Sequence, residues 1–139
     1  MAKSKAQKPS SRPFHITLFG ATGFTGRLTA EYLAGCQDSS HLKWAIAGRN
    51  PAKLEECRKA ILALNPQADV SIIEADTRDP ARLKKMAEQS KVIITTVGPY
   101  TTYGLPLVQA CVAAGTDYAD LTGETLFIRD SAEQFHKQA

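Results

Sequence analysis

Residues 20–26 read Gly20-Ala-Thr-Gly-Phe-Thr-Gly26 and follow directly on the short apolar run His15-Ile-Thr-Leu-Phe-Gly20. An apolar run of this length that stops at a glycine is typical of a buried strand. Beyond the glycines, apolar side chains recur at helical spacing at Leu28, Tyr32 and Cys36. The segment therefore predicts a strand, a tight glycine loop and a helix whose apolar face carries these three residues.

The glycine spacing suits a loop that binds a pyrophosphate. Such a loop turns sharply out of a strand, lets phosphate approach closely and packs its helix against the sheet, and each requirement disfavours a Cβ. Amide groups and the dipole at the helix start then receive the phosphate charge. Glycines also punctuate ordinary turns, but a position between the first strand and first helix favours dinucleotide binding. The candidate cofactor-binding residues of the loop are Gly20, Thr22, Gly23, Phe24, Thr25 and Gly26.

Strand-like and helix-like segments alternate along the rest of the chain. Further strands are predicted at residues 43–48, 70–75, 92–97 and 117–121, and helices at 51–64, 80–89, 105–114 and from about Glu124. The side chains expected to face the core from the second and third helices are Leu54, Cys57, Ile61, Leu64, Leu83, Met86 and Ala87. Five such units require right-handed crossovers and a parallel sheet covered on both faces. The predicted fold is therefore α/β, a doubly wound parallel sheet of the Rossmann type, over residues 14–139.

Composition places the chain among ordinary globular proteins. It has 139 residues, of which 43% are hydrophobic and 22% charged. No apolar run approaches the ~20 residues that span a bilayer, and the first eight residues lack the apolar stretch of a secretory signal. These features predict a soluble, cytoplasmic protein with no integral membrane segment.

The basic charge is concentrated at the amino terminus. The formal charge of +3 falls to −1 when Lys3, Lys5, Lys8 and Arg12 are set aside. We therefore expect residues 1–13 to form a disordered, solvated tail, and a nearly neutral folded part argues against nucleic acid as a partner.

The cysteines and histidines do not form a recognisable site. Cys36, Cys57 and Cys111 are far apart without a Cys-x-x-Cys pair, and the three histidines are equally scattered. Each cysteine falls on the apolar face of a predicted helix, so buried reduced thiols are expected. No metal site is predicted.

The end of the second strand indicates which dinucleotide is bound. NAD enzymes carry Asp or Glu there for the ribose 2′-hydroxyl, whereas this chain reads Ala47-Gly-Arg-Asn50. A guanidinium can bind a 2′-phosphate through two hydrogen bonds, and a carboxylate would repel it. Arg49 therefore favours NADP(H), although it is also a plausible solvated arginine in a turn.

Further candidates follow the third, fourth and fifth strands. Asp76 can reach the adenine or its ribose, or can serve as a turn or helix-cap residue. Gly98, Pro99 and Tyr100 follow the fourth strand, where Gly98 is expected to admit the cofactor and Pro99 to stiffen the loop. Tyr100 and Tyr103 either border the nicotinamide or are ordinary amphipathic surface residues. The simplest interpretation of residues 120–124 is a helix start with Thr122 as the cap.

Four segments together resemble the N-terminal domain of the saccharopine dehydrogenase-like oxidoreductases: residues 14–26, 45–49, 98–104 and 120–124. The group includes trans-acting enoyl reductases of bacterial glycolipid synthesis and a eukaryotic relative associated with lipid droplets. The resemblance implies an NADP-binding domain followed by a long α/β domain for a small-molecule or lipid-linked substrate. It also implies reduction of a C=C or C=N bond by the parent enzyme, in the cytoplasm or at the periphery of a membrane or lipid. The sixth strand and the substrate domain would then lie beyond Ala139.

The catalytic residues stay unassigned. No tyrosine is followed four residues later by lysine, which argues against the Tyr-x-x-x-Lys pair of short-chain dehydrogenases. A non-catalytic NADP-sensing module and a scaffold that binds no nucleotide are the alternatives. We expect this chain alone to bind NADPH without turnover and to self-associate through the outer edge of its fifth strand.

Overall fold

The computed structural model describes residues 11–36 and 40–139, so Lys3, Lys5 and Lys8 of the expected tail lie outside the described residues. Its strands are β1 (Phe14–Phe19), β2 (Lys43–Gly48), β3 (Asp69–Glu74), β4 (Ser90–Thr95) and β5 (Asp117–Ala119). Its helices are α1 (Phe24–Gly35), α2 (Pro51–Leu64), α3 (Pro80–Gln89), α4 (Tyr100–Ala114) and α5 (Thr125–Phe135).

All five strands are parallel and lie in the order β3-β2-β1-β4-β5. β2 and β3 extend the sheet on one side of β1, and β4 and β5 extend it on the other side. The predicted doubly wound sheet is therefore confirmed. Ligands of such sheets bind where the strand order reverses, outside the carboxyl ends of the strands. The order places that point beyond Phe19 of β1 and Thr95 of β4, which are paired in register.

Each face of the sheet has its own apolar core. One core packs α1 and α2 against Leu18, Trp44 and Ile46, and the other packs α3 and α4 against Phe19 and Ile93. Burial on both faces explains why the strands read as continuous apolar runs. The expected inward side chains Leu54, Cys57, Ile61, Leu83, Met86 and Ala87 are all buried. The prediction that Leu64 faces the core is wrong, because α2 ends at this residue and its side chain is 60% exposed.

The predicted apolar face of α1 is also wrong. Leu28 and Tyr32 are 52% and 71% exposed, and Cys36 is half-buried at the end of the helix. The buried residues of α1 are instead the small ones, Gly26, Ala30 and Ala34. Small side chains let the helix axis approach the sheet closely, so the larger apolar residues point outward.

Boundaries differ most around β4 and α4. β4 covers residues 90–95 instead of 92–97, β5 ends at Ala119, and α4 begins at Tyr100 rather than near Leu105. Gly104 and Pro106 disfavour helix in the sequence. They are tolerated because tertiary contacts, described below, fix the first turn of α4.

Arg12 belongs to the folded domain and not to a solvated tail, so the predicted tail boundary at residue 13 is wrong. Its side chain is buried, and its guanidinium donates to the carbonyls of Ala87, Ser90 and Ala114 and to the Thr116 hydroxyl. Ala87 and Ala114 lie at the ends of α3 and α4, where the helix dipoles favour a cation. Arg12 therefore ties the start of β1 to two helix ends.

Candidate functional site

A cleft of about 290 Å³ opens at the carboxyl ends of the strands. It lies where the strand order reverses, as expected for a dinucleotide site. Six of the candidate residues predicted from the sequence line it: Gly20, Thr22, Gly23, Arg49, Gly98 and Tyr103. The other lining residues are Phe19, Gly48, Thr77, Arg78, Thr96 and Val97.

The three glycines of the loop have different geometric roles. Gly20 has φ +92°, a left-handed conformation that other residues rarely adopt, and a Cβ there would lie 2.7 Å from Thr96 Oγ1. At Gly26 a Cβ would lie 2.0 Å from the Gly20 carbonyl oxygen, so glycine is needed for helix packing. At Gly23 the nearest atom to a Cβ would be 3.5 Å away, and this exposed position faces the cleft. Gly23 thus leaves room for a ligand, and Gly20 and Gly26 shape the loop.

The N-terminus of α1 is suited to an anion. Its N-cap is Gly23, and no side chain of the described residues caps its first turn, which also contains no acid. By contrast, Asn50 caps α2 and Asp79 caps α3. The first-turn amides of α1, from Phe24, Thr25 and Gly26, therefore keep their hydrogen-bonding capacity for a phosphate group. Their side chains do not line the cleft, so these residues can contribute through the backbone.

Arg49, Asp76 and Arg78 line a second pocket at the ends of β2 and β3, and Arg49 and Arg78 also line the cleft. Asp76 accepts hydrogen bonds from the Arg78 side chain and backbone amide, and these contacts hold the pKa of Asp76 at about 2. Arg49 is exposed, and no hydrogen bond or ion pair joins it to another of the described residues. It is therefore available to an anionic ligand.

Residues 98–104 and 120–124 contact each other and join the start of α4 to the start of α5. The Glu124 carboxylate accepts from the Thr101 hydroxyl and from the backbone amides of Thr101 (2.8 Å) and Tyr100 (2.7 Å), and these contacts lower the pKa of Glu124. Gly104 makes room for Phe127, whose ring would lie 2.3 Å from a Cβ at that position. Together these contacts explain why helix begins at Tyr100.

Tyr100 does not border the cleft, contrary to expectation. Its side chain is buried, its hydroxyl donates to the Thr95 carbonyl (3.0 Å), and burial raises its pKa. Pro99, joined to Gly98 by a cis peptide bond, is absent from the cleft lining as well. Tyr103 does line the cleft.

Thr122 does not cap α5, because its hydroxyl accepts from the Glu124 amide two residues later. The N-cap residue of α5 is Glu124 itself.

Sequence reasoning missed several lining residues, chiefly Thr77, Arg78, Thr96 and Val97. Their signal was position, because each lies one to four residues beyond the end of β3 or β4. Cys57 and Cys111 are buried as expected, whereas Cys36 is only half-buried. Burial raises the pKa of Cys57, and raises that of Cys111 to about 12, as expected for buried reduced cysteines. Among residues 11–36 and 40–139, no helix combines the length and apolar character that crossing a membrane requires.

The model of the saccharopine dehydrogenase NADP-binding domain family matches residues 16–139. The trans-acting enoyl reductase of Mycobacterium ulcerans is 51% identical over 130 residues, and that of Mycobacterium leprae is 52% identical over 131. Each comparison covers 94% of this chain and 30% of the relative, so the chain spans about a third of the length of these curated relatives.

Solved structures share the fold. Saccharopine dehydrogenase (L-Glu forming) from Saccharomyces cerevisiae matches with a TM-score of 0.67 at 20% identity, over 84% of this chain and 23% of that one. A short-chain dehydrogenase/reductase from Veillonella parvula in complex with NADP matches with a TM-score of 0.63 at 16% identity, over 81% and 49%.

The residues that are present fit a dinucleotide: Gly20 and Gly23 line the cleft, the first turn of α1 has no side-chain cap among the described residues, and the Arg49 guanidinium pairs with none of them. With the family match over most of its length, this chain belongs to the saccharopine dehydrogenase NADP-binding domain family, and its cofactor is NADP(H).

Proposed function

We propose that this chain is the NADPH-binding part of a reductase that delivers hydride to a C=C or C=N bond. The observation that carries the proposal is that Gly20, Thr22 and Gly23 of the glycine loop line one cleft with Arg49 at the carboxyl ends of the strands. The relatives named above are trans-acting enoyl reductases, which favours the C=C bond of an enoyl group. A nicotinamide supplies the hydride when it is bound, and the protein supplies position and electrostatics.

Each part of the cleft has a distinct task in this proposal. The first-turn amides of α1 hold the pyrophosphate, and Gly23 lets it approach the backbone. Arg49 binds the 2′-phosphate through two charge-assisted hydrogen bonds. Gly98 and Tyr103 lie beside the end of β4 and form the wall nearest the nicotinamide.

We place the substrate site in the part of the relatives that this chain does not cover. Hydride transfer needs groups that orient the acceptor and exclude water, and this chain spans only about a third of the length of its relatives. The polar side chains that line the cleft are Thr22, Arg49, Thr77, Arg78, Thr96 and Tyr103. None of them has a contact that identifies it as a proton donor, so the catalytic group of the proposal lies elsewhere. The substrate is a small molecule or a lipid-linked one, which would bring the whole protein to the periphery of a lipid surface.

Cofactor choice is tested by titration calorimetry with NADPH and NADH. The unsubstituted chain should prefer NADPH, and Arg49→Ala should lose about one to two decades of NADPH affinity, the size of a charge-assisted contact. Arg58→Ala is the matched control, because Arg58 is a surface arginine paired with Glu55 and lines no part of the cleft. Equal affinity of the unsubstituted chain for the two dinucleotides would refute the role of Arg49.

Turnover is tested on a protein of the relatives' length beside the 139-residue chain. We expect the longer protein to oxidise NADPH in the presence of an enoyl thioester or an imine, with stereospecific hydride transfer, and the chain alone to bind without turnover. Equal rates for both would place the catalytic groups within this chain and contradict the division of labour. Binding without transfer to any acceptor by the longer protein would favour an NADP-sensing role.

A further inference from the structure

Asp76 lies beside the residue that is proposed to bind the 2′-phosphate. β2 and β3 are paired in register at Gly48 and Glu74, and the Ala75 amide donates to the Gly48 carbonyl at 3.0 Å. Arg49 is the first residue after β2 and Asp76 is the second residue after β3, and the backbones of such neighbouring strands lie ~4.8 Å apart. Both side chains line the same pocket at this corner of the sheet.

A carboxylate at this position opposes binding of a phosphate. It repels the anion directly, and it competes for the guanidinium of Arg49, which already interacts with it electrostatically. Protonation does not remove the problem, because Asp76 stays ionised down to a pH of about 2. Selection of NADP(H) at this corner therefore requires that the charge of Asp76 be balanced by another group.

Arg78 provides that balance. Its Nη2 donates to Asp76 Oδ2 at 2.9 Å, its Nε to Oδ1 at 3.2 Å and its backbone amide to Oδ1 at 2.9 Å. Both carboxylate oxygens are thus occupied by Arg78. The third arginine of the pocket, Arg82, is likewise paired, with Glu74 and Asp79.

This pocket contains three arginines and three acids, but the ion pairs are distributed unevenly among the arginines. Two arginines hold all three acids, and Arg49 is left without a hydrogen bond or an ion pair to the described residues. The arrangement concentrates the unpaired positive charge at the end of β2.

We propose that Arg78 is a positioning residue for NADP(H) selection: by holding Asp76 it keeps Arg49 free for the 2′-phosphate. The inference rests on the proposed function of Arg49 and extends it to a second residue. Arg78 acts through Asp76 and Arg49, so its effect depends on the carboxylate that it neutralises.

The test is a double-mutant cycle in which NADPH and NADH affinities are measured by titration calorimetry. Arg78→Ala should weaken NADPH binding by about five- to thirtyfold, the size of one exposed charge contact, and change NADH affinity by less than about twofold. Adding Asp76→Asn to Arg78→Ala should restore NADPH affinity to within about threefold of the unsubstituted chain, because no carboxylate is left to neutralise. Arg58→Ala, which also removes one arginine from an ion pair, should change neither affinity.

Four results would overturn the proposal. Failure of Asp76→Asn to rescue Arg78→Ala would mean that Arg78 contacts the phosphate itself. An equal loss of NADPH and NADH affinity would assign Arg78 a structural role, which thermal unfolding of the same variants would register. If Arg78→Ala leaves the NADPH affinity unchanged while Arg49→Ala abolishes the preference for NADPH over NADH, this inference is refuted and the proposed function stands. If neither Arg78→Ala nor Arg49→Ala changes the preference for NADPH over NADH, both this inference and the proposed function are refuted.

Discussion

Replacement of Gly26 by alanine is expected to destabilise the fold, although alanine is the better helix former. A Cβ at this position would lie 2.0 Å from the Gly20 carbonyl oxygen, 2.7 Å from the Gly20 carbonyl carbon and 2.8 Å from Ala21 Cα. All three are backbone atoms, so no side chain can rotate out of the way. The helix or the loop has to move by about an ångström, and overpacking of this kind costs about 1–3 kcal/mol.

The displaced carbonyl also has partners to lose. The Gly20 oxygen accepts hydrogen bonds from the Gly23 amide (3.1 Å) and from Thr96 Oγ1 (3.2 Å), each worth about 1 kcal/mol. The gain in helix propensity returns about 1 kcal/mol at most. We therefore expect Gly26→Ala to lower the free energy of unfolding by about 2–4 kcal/mol, or to lower Tm by roughly 6–12 °C in a domain of this size.

Two alanine variants provide controls in the same segment. Gly35→Ala, at the end of α1 with no atom within 4 Å of a Cβ, should leave Tm unchanged or slightly raised. Gly23→Ala should also fold normally, since φ is −77° and the nearest contact is 3.5 Å, but its methyl group should reduce NADPH affinity. Thermal unfolding followed by circular dichroism, with calorimetric titration of NADPH, measures both effects. A Tm for Gly26→Ala within about 2 °C of the unsubstituted chain would show that the loop accommodates a Cβ and would refute the packing argument.

Three further outcomes are expected. Arg12→Leu should lower the free energy of unfolding by about 2 kcal/mol or more, because buried carbonyls lose a charged donor, and an unchanged urea midpoint would contradict this role. The pKa of Glu124 is lowered in the folded state, so the stabilisation from the Glu124 carboxylate should be complete above its ordinary pKa of about 4.5 and lost as pH falls through the lower folded value. Glu124→Gln should remove this contribution from the pH dependence of Tm. Identical profiles of Tm against pH for the two proteins would contradict the role of Glu124 at the start of α4. β5 pairs with β4 and with no second strand among the described residues, so its outer edge is open to pairing with another copy of the chain. Light scattering should therefore show concentration-dependent association. A monomer at all concentrations would indicate that this edge is protected.

Local pattern was sufficient for the fold class and for the glycine loop that lines part of the cleft. Alternating apolar runs and helical spacing predict five strands separated by helices. Such strands form a parallel sheet because the strand-helix-strand connection has one favoured handedness. The glycines of residues 20–26 and Arg49 could be found in the same way, since their roles depend on backbone geometry and charge at strand ends. These are properties of short segments, which the sequence determines by itself.

Tertiary structure decided what depends on contacts between distant segments. The outward face of α1 follows from the close approach of Gly26, Ala30 and Ala34 to the sheet, which no hydrophobic count along the helix reveals. Tyr100 leaves the cleft because Glu124, 24 residues later, caps the helix that Tyr100 begins. Arg12 is buried because its guanidinium meets carbonyls 75 to 102 residues away, and a lone basic residue before the first strand carries no local signal of such partners. Long-range partners satisfy these polar groups, and only the folded chain brings those partners together.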